Sequence, residues 1–130
     1  MNSFSLNGYL WHVKFVRPDS PELVDRTREQ RVATTDPDTL TVYLSNQLRG
    51  EFLNTVFIHE LAHCVMWSFD LLYEIHKMVK REYWIEAEEW ICNFIADYGF
   101  QIFKIAHSVF GSNALEILPY ELERMVKKSA

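Results

Sequence analysis

Over residues 51–67 apolar side chains recur every three to four positions, and Phe52, Val56, Leu61, Ala62 and Val65 are predicted to share one broad face. A stretch of this kind folds as a helix that must lie against other apolar surface. Within it runs Phe57-Ile58-His59-Glu60-Leu61-Ala62-His63, so a helix fit for a core also carries two histidines and an acid. Positions i and i+4 of a helix lie about 40° apart round the axis and one turn along it, so His59 and His63 project to one side. They can share a metal ion, and imidazole nitrogens suit zinc at roughly 2.0–2.1 Å. Glu60 points about 100° away from His59. It does not ligate, and is placed to take a proton from an attacking water.

The rest of the chain divides in two. The first half reads as β: residues 9–16, 31–34 and 39–45 are rich in aromatic and β-branched residues. Arg17-Pro18-Asp19-Ser20-Pro21 and Asp36-Pro37-Asp38 interrupt them as turns. A three-stranded, mostly antiparallel sheet is the economical arrangement. The second half reads as helix. Residues 70–79 make a short helix or ordered loop. Residues 84–105 make one long helix with apolar Trp84, Ile91, Phe94, Ile95, Tyr98 and Ile102. Gly111-Ser112-Asn113 ends it, and Ser112 or Asn113 is suited to cap a last helix through about Val126. No repeat or linker interrupts the pattern, so the expectation is one α+β domain over residues 1–130, a minimal zincin-like layout in which the sheet packs on the helical half.

Composition sets limits on partners and place. Hydrophobic residues are 48% of the 130 and aromatics 15%, enough for a core without disulfide staples. The net charge of -5 and the lack of a Lys/Arg stripe argue against a nucleic-acid backbone as partner. Lys77, Lys80 and Arg81, and Lys127 and Lys128, read as solvated helix surface. No apolar run approaches the roughly 20 residues of a membrane span. The start shows no charged leader before an apolar stretch, so no signal peptide is expected. Cys64 and Cys92 do not form a disulfide framework, and reduced thiols in a cytoplasm are the expectation.

Catalytic zinc usually takes three protein ligands and leaves one position open. A metzincin would need a glycine and then a histidine soon after the motif, where Met66 and Phe69 stand. His76 comes too far on for that pattern. The acids Glu86, Glu88 and Glu89 on the next long helix are the source of the third ligand. Glu89 is chosen because Asn93, four residues on, shares its face and could accept from the free ring nitrogen of a ligating histidine. The residues four after Glu86 and Glu88 are Trp90 and Cys92, poor acceptors for that role. Glu86 stays as a supporting or substitute residue.

His59-Glu60-Leu61-Ala62-His63, followed 26 residues later by Glu89-Trp90-Ile91-Cys92-Asn93-Phe94-Ile95-Ala96, resembles the gluzincin-type metallopeptidases. More narrowly it resembles the ImmA/IrrE-type peptidases, whose HELGH is followed by an E-x-x-A-N-x-F-A helix. Ala62 stands for the glycine, Cys92 for the first alanine and Ile95 for the phenylalanine. The likeness covers about residues 40–100. The chain is also similar throughout to small uncharacterised proteins of phages and prophages, which implies an origin, with a host-cell cytoplasm as its place, but no function. No DNA-binding or sensor domain is expected within these 130 residues. The resemblance and the residues together imply a Zn2+-dependent peptidase that acts on a peptide or protein. His59, His63 and Glu89 hold the metal, Glu60 is the general base and Asn93 orients a ligand.

Other residues carry weaker readings. Cys64 and Cys92 are small buried hydrophobes, or thiolate ligands of a structural zinc. His12 and His107 are ordinary. The strand over 39–45 is a candidate edge strand for main-chain pairing with substrate, as in zincins. Tyr43, Tyr83 and Tyr98 are each candidates for a transition-state donor. Trp67, Trp84 and Trp90 read as core. The rival class is a non-catalytic zinc-containing protein that binds a host partner. Trp67 or residues 70–79 plugging the open position would favour it.

Overall fold

An Asn-Gly pair makes the first turn. Asn7 and Gly8 both adopt left-handed backbone, φ 49 and 82, and close a two-residue hairpin between β1 (Ser3–Leu6) and β2 (Tyr9–Val16). The computed structural model describes residues 2–116, which form an α+β arrangement. The sheet has four strands, not the three expected from sequence. The addition is β1, which the Asn7-Gly8 signal could have revealed.

After β2 the chain passes through a single 3₁₀ turn, Pro21–Leu23, capped by Ser20 Oγ accepting the Glu22 N–H. It returns as β3 (Ala33–Asp36) and β4 (Thr41–Ser45), an antiparallel pair. The turn between them is built by Asp36, whose Oδ1 accepts the Asp38 N–H at 3.0 Å. The strand order is β1-β2-β4-β3, and β4 runs parallel to β2. The sheet is therefore mixed, with two antiparallel pairings and one parallel. The crossover after β2 brings β4 in beside it and leaves β3 outside. Thr41, Val42, Leu44 and Ser45 are accordingly buried, as in a strand enclosed on both sides. The free edge next to the helices is β3, so the expected edge strand over 39–45 is corrected: β2 and β3 already use both of its edges.

Helix α1 (Gly50–Ser68) covers one face of the sheet. Trp11, Val42, Leu44, Leu48 and Cys64 form the core there, with Leu53, Phe57 and Trp67 against it. The first hairpin also ties down the end of α1. Trp11 Nε1–H donates to Ser68 Oγ at 2.8 Å, and Asn7 Nδ2–H donates to the Ser68 carbonyl at 2.8 Å. Helices α2 (Leu72–Met78) and α3 (Trp84–Phe94) follow, and Ala62, Met66, Ile75 and Cys92 make a second apolar cluster. Trp90 is not core as expected: it is exposed and stacks on Phe94, ring centroids 5.6 Å apart.

The single helix expected over 84–105 is interrupted. A π-helical turn over Ile95–Gly99 follows α3, and α4 (Phe100–Phe110) begins after it. Helix α4 stops at Gly111, φ 63, and a 3₁₀ turn over Gly111–Leu115 follows. The rest of the helix expected through Val126 lies outside the described residues. Backbone contacts group the chain into one unit ending at Asp97, which holds the sheet and α1 to α3, and another starting at Tyr98, which holds α4. No helix among the described residues is long and apolar enough to cross a membrane.

Candidate metal centre

Packing of α1 against α3 brings His59, His63 and Glu89 to one point. His59 Nε2 lies 3.1 Å from Glu89 Oε2, His63 Nε2 lies 3.2 Å from Glu89 Oε1, and the two Nε2 atoms are 3.2 Å apart. Tetrahedral ligands at the roughly 2.0–2.1 Å typical of zinc sit about 3.3 Å from one another. The two Nε2 atoms stand at such a separation, and each meets a different oxygen of the Glu89 carboxylate at a similar distance. Two nitrogens and a carboxylate oxygen also match zinc by chemistry.

A second donor set shares both histidines. His59, His63 and Cys92 offer atoms that lie within 4.8 Å of one another. The Glu89 set is the more closely spaced. Cys92 is fully buried, and burial is the largest influence raising the pKa of its thiol, which favours the protonated form over a thiolate ligand. Cys64 is likewise buried, and its thiol is pushed up to about 12, first by burial and then by Glu60.

The partner of the ligating histidine differs from the sequence expectation. His63 Nδ1–H donates a short hydrogen bond to Glu88 Oε2, and in the neutral ring this arrangement leaves the Nε2 lone pair for the centre. Asn93, assigned that role from its spacing, is exposed, lines the cleft and bonds to neither histidine among the described residues. Glu86 makes no contact with the site among the described residues, whereas Glu88 is buried behind it. The +4 residue, Cys92, made Glu88 look unsuitable, but Glu88 acts through its own carboxylate.

Carboxylates dominate the electrostatics. Burial disfavours charge on His63, but hydrogen bonds to Cys92, Glu88 and Glu89 outweigh it and raise its pKa to about 12. Burial works against charge on Glu89 as well, and its bonds to His59 and His63 overcome this to hold it below the usual carboxylate range. Glu88 is lowered in the same sense, burial being outweighed by His63 and Arg26. Glu60 goes the other way: it is buried, and desolvation raises it despite the nearby histidines. A raised carboxyl beside the centre suits proton transfer.

Glu60 is also fixed in place. Its Oε1 accepts the Thr35 hydroxyl at 3.0 Å, and its Oε2 lies 3.6 Å from His59 Nε2. Strand β3 thus holds the acid of α1 by a residue that sequence reading passed over. Arg26, also passed over, reaches in from the loop between β2 and β3, with Nη1 3.2 Å from Glu88 Oε1 and Nη2 3.4 Å from Glu89 Oε1. That loop is built on Asp25, which accepts from the Thr27 and Glu29 N–H groups and from Arg31 Nε at 2.7 Å. Val24 and Gln30 close it as a β-bridge. An Asp followed two residues later by Thr signals such a turn, but nothing local says where its arginine points.

The centre opens into a cleft of about 1070 Å³. One wall is β3 and another comprises Phe52, Thr55 and Val56 of α1, with Ile85 and Asn93 of α3 opposite. Trp67 and Leu72 line the cleft. Of the three tyrosines considered as donors, Tyr43 is in the lining; Tyr83 is not, and Tyr98 belongs to the other unit. His76 stacks on Trp84 at 3.9 Å between centroids and takes no part.

Comparison with protein-family models, with curated proteins and with solved structures finds no match. What the cleft does is therefore read from its own chemistry. His59, His63 and Glu89 could hold a cation, with a carboxylate fixed beside them and room for a molecule along β3.

Proposed function

We propose that the chain is a zinc-dependent metallohydrolase acting as a peptidase, with His59, His63 and Glu89 as ligands and Glu60 as general base. The observation that carries this reading is the pair His59 Nε2 and His63 Nε2, 3.2 Å apart and each within 3.1–3.2 Å of one oxygen of Glu89, with Glu60 Oε2 only 3.6 Å from His59 Nε2, at the floor of an open cleft. Zinc bound there would supply Lewis acidity toward a carbonyl oxygen and lower the pKa of water. Glu60 takes the proton of the attacking water and delivers it to the leaving amine. Thr35 keeps one carboxylate oxygen occupied, so the other faces the reaction. Glu88 holds His63 in its ligating tautomer and Arg26 offsets the excess of negative charge.

The unpaired edge of β3 supports an extended peptide as substrate. Val32 accepts from the Ser45 N–H, so by antiparallel alternation Ala33 and Thr35 direct their main-chain groups to the open side. Pairing there binds peptides with little demand on side chains. The rival reading, a binding protein with a plugged site, is disfavoured because Trp67 and Leu72 line the cleft rather than fill it.

Metal content per chain, measured by mass spectrometry on purified protein beside His59→Ala and Glu89→Ala, tests the reading. About one zinc per chain, lost in both variants, is expected. No zinc after reconstitution sinks it.

A further inference from the structure

The cleft is charged unevenly. Among the described residues, its only cationic side chains of the Lys/Arg type are Arg26 and Arg31. Both are already engaged, Arg26 with Glu88 and Glu89, Arg31 with Asp25 and Glu29. Asp36, Asp38 and Asp97 line the same cleft, and no cation among the described residues pairs with any of them. Asp36 closes the free edge of β3 and Asp38 follows in the turn, so two carboxylates stand at the end of the line along which an extended peptide would lie. Asp97 comes two helical turns after Glu89 on the facing wall. Where the cleft walls do meet a counter-charge, near the centre, it is a guanidinium of the chain itself.

We infer that the cleft selects a cationic peptide, one that carries Lys or Arg side chains toward Asp36, Asp38 and Asp97 while its backbone pairs with β3. The inference rests on the proposed peptidase site and names its substrate class. A peptide in extended form turns alternate side chains to one side, so Lys or Arg at every second position meets this wall. Acidic peptides are repelled by the same groups. The segment next to Arg26 accommodates neutral side chains, because the cation there is already in place.

The experiment is peptide binding, not turnover, so it reads the cleft even if hydrolysis fails. Labelled nonapeptides of one length, with Lys, Ser or Glu at alternate positions, are titrated by fluorescence anisotropy against the full chain carrying Glu60→Gln. Exposed ion pairs contribute a factor of roughly two to five each, so the Lys peptide should bind about tenfold more tightly than the Ser peptide. The Glu peptide should bind more weakly than either. Raising the salt should narrow the gap. Combined Asp36→Asn, Asp38→Asn and Asp97→Asn should cut the Lys advantage to about twofold. Glu51→Gln and Glu82→Gln, away from the cleft, should leave it intact. Because Asp36 also builds its turn, Asp38→Asn with Asp97→Asn is the companion variant if the triple one does not fold. Equal binding of Lys and Glu peptides, no binding of the Lys peptide, or a Lys preference that survives the cleft substitutions overturns the proposal. Absence of zinc, in contrast, overturns the peptidase reading and leaves this readout in place.

Discussion

Helix α1 has two open sides of opposite character. One carries His59, Glu60 and His63 with Phe52 and Val56 beside them, and looks into the polar cleft. The other carries Ile58, Leu61, Ala62, Val65 and Met66, and with Ile75 and Ile91 forms an apolar groove of about 430 Å³. Phe52 and Val56 therefore do not share a face with Leu61, Ala62 and Val65, contrary to the expectation from periodicity. Leu53, Phe57 and Cys64 take a third side, against the sheet. The difference teaches that an enclosed helix can be apolar nearly all round, and that reactive groups are inserted into one sector of it. Chemistry and stability then belong to different side chains of one element and can be separated by substitution.

The largest separation is expected at Glu60. Glu60→Gln should lower turnover of a cleaved peptide by about 10³-fold while zinc stoichiometry holds. Turnover close to that of the parent would break the contrast at once. On the groove side, Met66→Ala should cost about 2–3 kcal/mol in urea unfolding, for a buried side chain that leaves a cavity, with zinc content unchanged. Loss of metal in that variant would mean that the two sides are coupled.

Smaller effects sharpen the account of the cleft side. Glu88→Gln should weaken zinc affinity by about 10–100-fold in competition with a chromophoric chelator, because the charged acceptor of His63 Nδ1–H becomes a neutral amide. Asn93→Ala should change it by less than about twofold, which is what an exposed residue touching neither histidine requires. The reverse order would restore Asn93 to the role that its spacing suggested. The smallest effect is at the loop that carries Arg26. Burial would raise the Asp25 carboxyl, but bonds from Thr27, Arg31 and Glu29 outweigh it and hold it below its ordinary value. A depressed folded pKa stabilises the loop above the unfolded carboxylate value of about 3.9, and that contribution is lost as the pH falls below it. Protection of the Thr27 and Glu29 amides, taken relative to the intrinsic exchange rate at each pH, should thus stay high at neutral pH and fall below about pH 4, and Asp25→Asn should remove that pH dependence.

The three positions that α1 and α3 bring together were legible because they obey a local rule. His59 and His63 share a helix face by spacing alone, and Glu89 falls on the next long helix. Strand β2 and the turn at Asp36 were legible for the same reason, as alternation and turn chemistry act over a few residues. What sequence did not give depends on contacts between distant segments. Thr35 meets Glu60 only because β3 is the outer strand, and β3 is outer only because β4 pairs in parallel with β2. Arg26 and Glu88 are 62 residues apart and no spacing joins them. The break after Phe94 was hidden because a π-turn leaves the apolar pattern nearly continuous.

The parallel pairing of β2 with β4 also bears on the order in which the molecule assembles. The β1–β2 and β3–β4 hairpins close over short turns and can form within microseconds. Joining them requires the intervening chain to loop back, a slower event that carries the loop-closure entropy of a non-local contact. Until it happens β3 has no fixed place, Thr35 cannot hold Glu60, and the wall that the proposed function assigns to a peptide is missing. A nascent chain can already present the His59 and His63 pair on a single helix. Competence to hydrolyse would therefore arrive later than the first affinity for metal, and a chain still folding would have little means of cutting itself or its neighbours.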